Sequence, residues 1–141
     1  MPLVSITRLR LRAWRFAPGF LLDAVRSQNQ ARRAPGVLDV AVQNDARRTF
    51  WTRTVWTDEA AMRDYVLSGP HRRVMPRLMD WCDEASVVHW TQDSVAPPSW
   101  DEAWRRMQED GRASRVRHPS PDHVNFKITP MRAGAPGRNL G

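Results

Sequence analysis

The hydrophobic period of this chain changes between two and three-to-four several times in its first 92 residues, and the order of those changes limits the folds open to it. Residues 4–14, VSITRLRLRAW, alternate at their centre, with Leu9, Leu11 and Ala13 on one side and Arg8, Arg10 and Arg12 on the other. A period of two means a strand. Three arginines on one side read as a solvated surface, with an anion site inside an open barrel as the alternative. Pro18 suits the first turn of a helix, and Phe20, Leu21, Ala24, Val25, Gln28 and Ala31 follow at spacings of three and four. That helix ends at RRAPG, because the residue before Pro35 is pushed out of helical geometry and Gly36 permits a turn. The second strand, VLDVAVQN, begins at Val37.

After the polar turn NDARR comes TFWTRTVW, rich in the aromatic and β-branched residues that favour a pleated surface, so it reads as a third strand paired with the second. Thr57 or Asp58 can cap the next helix, Glu59 suits its first turn, and Met62, Tyr65 and Val66 supply its buried stripe. It stops at SGP, which leaves His71 on a loop, and a short helix, RLMDW, starts at Pro76. EASVVHWTQ is a fourth strand. SWDEAWRRMQED is an amphipathic helix capped by Ser99, with Trp100, Ala103, Trp104 and Met107 on one side. The order β-α-β-β-α-β plus one helix is the α+β, ferredoxin-like arrangement. Residues 1–111 form that domain, while the basic Pro/Arg-rich stretch 112–141 lacks periodicity and is expected to be flexible or laid over a partner.

A chain of 141 residues suits one domain. No stretch approaches the roughly 18 apolar residues of a membrane span. The start alternates arginine with apolar residues instead of carrying a signal peptide's unbroken apolar run, so the cytoplasm is the expected compartment. A lone Cys82 excludes an intramolecular disulfide and a CxxC zinc pair; with Asp83 and Glu84 beside it, the thiol should be unreactive. The net charge is +7, of which +5 lies in residues 112–141. Nearly all the basic residues are arginine, which a nucleotide bias explains as well as phosphate contacts do, so nucleic acid is not the expected partner.

One stretch carries a likeness to a known superfamily. The stretch RAPGVLDVAVQNDARRTFWTRTVWTDEAAMRDYVLSGPHRR resembles the dimeric α+β barrel proteins of the antibiotic biosynthesis monooxygenase type, near the spheroidene monooxygenase-like group. Pro35, Gly36, Trp56, Asp58, Glu59, Ala60 and His71 stand at the matching positions. The resemblance implies a homodimer whose two sheets pack face to face, with a pocket between each sheet and its own helices. An open sheet face would itself need a cover. The superfamily includes cofactor-free oxygenases, heme-degrading enzymes and heme-dependent enzymes, and the fold does not choose among them. Its heme-degrading members are similar to one another in a strand-one Asn, a helix Trp and a His; here strand one lacks Asn, Tyr65 takes the Trp place, and Met75 falls near the His.

The implied activity is oxidation of a small, largely apolar substrate in a Trp-lined pocket. A non-catalytic protein that binds heme or another hydrophobic ligand is the alternative. His71 and His89 are the candidate bases, since a neutral imidazole can take a proton near neutral pH. If heme binds, His71 is the candidate iron ligand, with Met75 as a weak second and Arg72 beside a propionate. Trp51, Arg53, Tyr65 and Trp81 are the candidate substrate contacts. Parity puts Trp51 and Arg53 on one face of strand three and leaves open which face is inward. Trp56, at a strand end before a helix, reads as core.

Overall fold

The structure, a computed structural model, describes residues 1–131, apart from the side chains of residues 69–71. The chain forms β1 (Leu3–Leu11), a 3-10 turn (Trp14–Phe16), α1 (Ala17–Arg33), β2 (Val37–Asp45), β3 (Thr49–Trp56), α2 (Glu59–Val66), α3 (Gly69–Trp81) and β4 (Cys82–Thr91). After these come α4 (Trp100–Asp110), the short β5 (Arg112–Ala113) and α5 (Pro121–Val124). The strands make one antiparallel sheet in the order β2-β3-β1-β4-β5, so the first four reproduce the ferredoxin-like arrangement expected from periodicity.

Local chemistry explains the boundaries. Gly36 holds φ +86, and a Cβ there would meet Ala61 and Thr57 at 2.7 Å, so only glycine fits this turn into β2. Asp58 caps α2 by accepting a hydrogen bond from the Ala61 N–H at 2.9 Å. Ser99 does the same for α4 through the Glu102 N–H at 3.1 Å. Both caps satisfy backbone donors that the first helical turn leaves free.

Three expectations change. His71 does not lie on a loop: α3 already begins at Gly69, and Pro76 sits inside it. Pro70 occupies the first turn, where no backbone N–H is needed. Pro76 removes one internal bond, but packing holds the helix on both sides of it, with Val74 buried and Leu78 against the core. The arginines of β1 are not a solvated surface either. Arg8 is 3% exposed and donates through Nη1 to Glu84 Oε1 at 2.7 Å, while Arg10 grips Asp83 with two bonds at 2.9 and 2.8 Å.

The third change concerns the stretch expected to be flexible or laid over a partner. Over residues 112–131 it is laid over the chain's own sheet and α4. The Ser114 N–H donates to Ala85 O at 2.8 Å, the Ser120 N–H to Asp83 O at 3.0 Å, and Trp104 Nε1 to Ile128 O at 2.8 Å. Ile128 and Met131 join a cluster with Trp100, Met107, Val4, Ile6 and Trp51. The sheet face that would otherwise need a second subunit is therefore covered from within the chain. Residues 132–141, the rest of that expectation, lie outside the described residues.

Candidate functional site

The two faces of the sheet are filled differently. Against α4, one continuous cluster runs from Val4 and Ile6 to Trp51, Val55 and Val88. Against α1–α3 there are two clusters, one around Leu3, Ala31, Trp56 and Met62, the other around Leu11, Phe20 and Cys82. Between these two, β1 and β3 place Ser5, Thr7 and Thr52 on the helix side, all half-buried although both strands are internal to the sheet. β4 sets His89 across from Ser5 and Val87 across from Thr7. Small hydroxyl side chains fill less space under a helix than large apolar ones, and these three keep part of their surface in solvent.

Helix α1 crosses this strip. Phe20, Ala24, Ser27 and Ala31 recur at helical spacing on its inner stripe. Phe20 packs on Phe50 with ring centroids 4.8 Å apart, and Ala31 belongs to the other cluster, so Ser27 lies over the strip between them. Among the described residues its Oγ is buried without a hydrogen-bond partner. A buried hydroxyl in that state is a ready donor or acceptor for a polar group entering beside it.

His89 stands at the rim with much of its surface in solvent. Partial desolvation of the ring and the nearby Arg112 still hold its pKa below the ordinary 6.5, with Glu59 opposing them. It is therefore a neutral base at pH 7. His71 falls in the first turn of α3, and its side chain lies outside the described residues. Tyr65 closes one end of the layer: its ring packs on Trp56 at 5.2 Å and its hydroxyl donates to Ser27 O at 3.1 Å. Burial pushes its pKa up to about 12, so it stays a neutral phenol. Burial, then Asp83, likewise pushes the buried Cys82 thiol up to about 12, in line with its expected inertness.

The candidate substrate contacts do not meet in one pocket. Trp51 and Arg53 point to the α4 side: Trp51 is wholly buried and donates from Nε1 to Asp45 Oδ2 at 3.2 Å. Arg53 donates to Asp39 Oδ2 at 3.0 Å and Pro98 O at 2.8 Å, with its guanidinium 4.9 Å from the Trp100 ring centroid. Both are core. Trp81 lies at the far end of α3, against Phe16 and over Gly19. Arg72 is exposed and Met75 is 43% exposed on α3. Among the described residues no group of three His, Cys, Asp or Glu is placed for a metal ion. What sequence reasoning missed is the hydroxyl strip; its only signal was the alternation of Ser5, Thr7, Thr52 and Thr54 with apolar residues inside otherwise hydrophobic strands.

The fold is ferredoxin-like α+β, and solved antibiotic biosynthesis monooxygenases share it. A cofactor-independent oxygenase, SnoaB from Streptomyces nogalater, matches with a TM-score of 0.53 at 15% identity over 66% of this chain and 94% of its own. An antibiotic biosynthesis monooxygenase matches at 0.58 and 17% identity over 65% and 99%. A conserved protein from Methanosarcina mazei Go1 matches at 0.60 and 12% identity over 66% and 94%. At these identities the likeness shows the fold. The chain belongs to the family described as Domain of unknown function (DUF3291), which matches residues 10–126. No curated protein matches it in sequence. Among the described residues no helix is long and apolar enough to cross a membrane.

Proposed function

We propose that the protein is a monooxygenase-like oxidoreductase that oxidises a small, largely apolar substrate between its sheet and α1, without a cofactor. The observation that carries this reading is the split core: one face is closed, while the other keeps a hydroxyl-lined strip with a neutral histidine at its rim. The apolar clusters flanking the strip would hold an aromatic substrate, and Ser5, Thr7, Thr52 and Ser27 would bind its oxygen atoms. His89 would take a proton from an activated methylene, with His71 as the second candidate base. The resulting carbanion is oxidised by O2, so that the methylene becomes a carbonyl and the second oxygen atom leaves as water. The substrate supplies all four electrons, which is why no external reductant enters.

The fold shared with a cofactor-independent oxygenase supports the monooxygenase-like part of this reading. The test is oxygen uptake with an anthrone, whose methylene is acidic, in wild type and in His89→Ala and His71→Ala. Uptake that falls at least about tenfold in one variant is expected, the low end for loss of a general base. Saturable anthrone binding without uptake would instead assign the strip to the alternative, a carrier of a small hydrophobic ligand.

A further inference from the structure

The flank of α1 that meets α3 carries a concavity. It is a cleft of about 240 Å³ between α1 and α3, lined by Asp23, Arg26, Arg73, Val74 and Arg77. Its floor is buried: Val74 is 6% and Asp23 6% exposed. Arg77 is pinned there, its Nη1 donating to both Asp23 oxygens at 3.0 and 2.8 Å. That ion pair consumes the only carboxylate in the lining. Arg26 and Arg73 have no hydrogen-bond or ion-pair partner among the described residues, so the cleft holds a net charge of +2.

Arg73 and Arg77 are four residues apart on one helix face, a repulsive spacing for like charges. In α2 and α4 arginines meet acids at that spacing, as Arg63 meets Glu59 at 2.8 Å and Arg106 meets Glu102 at 2.9 Å. In this cleft three arginines line one space and Asp23 is the only acid in the lining. We propose that the cleft binds a small doubly charged oxyanion, carried by free phosphate or by a phosphomonoester. Guanidinium forks match phosphate oxygens through paired hydrogen bonds, and a phosphate monoester at neutral pH carries the charge that the cleft lacks. The Asp23 to Arg77 pair orients one fork in advance, and Val74 offers an apolar contact to an organic group. The site is separate from the strip under α1 and does not rest on the oxidation proposed for it.

The experiment is isothermal titration of the full chain with inorganic phosphate and with phenyl phosphate, at two salt concentrations. Wild type, the double variant Arg26→Gln/Arg73→Gln and the control Arg115→Gln are compared; Arg115 is an exposed arginine outside the cleft. Saturable binding is expected in wild type and in the control, weakened about tenfold or more in the double variant, the scale of lost hydrogen bonds to a charged group. Tighter binding of phenyl phosphate would identify a phosphomonoester as the ligand, and equal binding free phosphate. No saturable binding of either probe, or binding lost equally in Arg115→Gln, would overturn the proposal. Circular dichroism of the double variant separates a lost site from a lost fold.

Discussion

The two faces of one sheet have been put to different uses. On the α4 side the buried apolar side chains form a single cluster, and the charges beside it are paired, Arg8 with Glu84 and Arg53 with Asp39. Ser120 adds to the first pair by donating to Glu84 Oε2 at 2.6 Å. On the α1–α3 side the apolar residues are divided in two, a hydroxyl strip runs between them, and Leu21, Leu22 and Val25 of α1 stay about half exposed. Cohesion is thus concentrated on one face, and the other can keep an opening without unfolding the domain. Solved structures of the same fold are almost wholly covered by the match, whereas about a third of this chain has no counterpart in them. Half of the buried cluster on the closed face, Trp100, Ala103, Met107, Ile128 and Met131, comes from α4 and residues 112–131.

Trp51→Ala tests that concentration most severely, because it empties the centre of the closed face, where the indole is fully buried. It should cost about 3–5 kcal/mol of stability by urea denaturation, the range for removing a buried aromatic ring. A loss below about 1 kcal/mol would mean that the face relaxes freely and is not the cohesive one.

Next in size is the Arg8–Glu84 pair. Glu84→Ala leaves the Arg8 guanidinium buried without its counter-charge, and the Nε of Arg8 is already buried without a partner. The expected cost is about 3 kcal/mol, at the lower end for breaking a buried pair by removing one member. The pH dependence has a definite sign. Desolvation would raise the Glu84 pKa, but Ser120, Arg8 and Arg10 together outweigh it and leave the pKa below the ordinary 4.5. Its stabilisation is therefore fully present above 4.5 and is lost as pH falls through the lower folded value. Urea midpoints from pH 6 downward should fall less steeply in Glu84→Gln than in wild type, and an equal slope would remove Glu84 from the acid transition.

The same contrast explains what could be read from the residues. Periodicity was enough to place β1–β4, α1, α2 and α4, although Leu21 and Val25 of the expected α1 stripe stay about half exposed while Phe20 and Ala31 are buried. It failed at α3, where Pro70 and Pro76 read as breaks, since long-range packing of Val74 and Leu78 outweighs a local penalty. The β1 arginines misled for a related reason: their partners Asp83 and Glu84 lie more than seventy positions away. Parity placed Trp51 and Arg53 together and could not choose their face, because nothing local announces that α4 and residues 112–131 cover it. Of the candidate site, His89 was legible as a residue type, but its distance from Trp51 across the sheet was not.

A smaller change probes the open face through its base. Arg112 helps to hold the His89 pKa below 6.5, so Arg112→Gln should raise it. Titration of the imidazole C–H resonance by NMR reads this without any turnover assay. If His89 is the working base, the acid limb of the oxygen-uptake profile should move upward in pH together with that resonance. A resonance that moves while the limb stays would assign the base elsewhere, with His71 next in line.

The subtlest substitution separates the faces most cleanly, because Thr52 is the neighbour of Trp51 and points to the other side. Thr52→Val keeps the shape, favours the strand and removes only a half-buried hydroxyl from the strip. Stability should change by less than about 0.5 kcal/mol, the level of substitutions that break no buried contact. Anthrone affinity or oxygen uptake should nevertheless shift, since the strip would lose one of the few polar groups able to hold a substrate oxygen. If Thr52→Val destabilised the domain as strongly as Trp51→Ala, the strip would be core like the face opposite, and the division of labour between the two sides of the sheet would disappear.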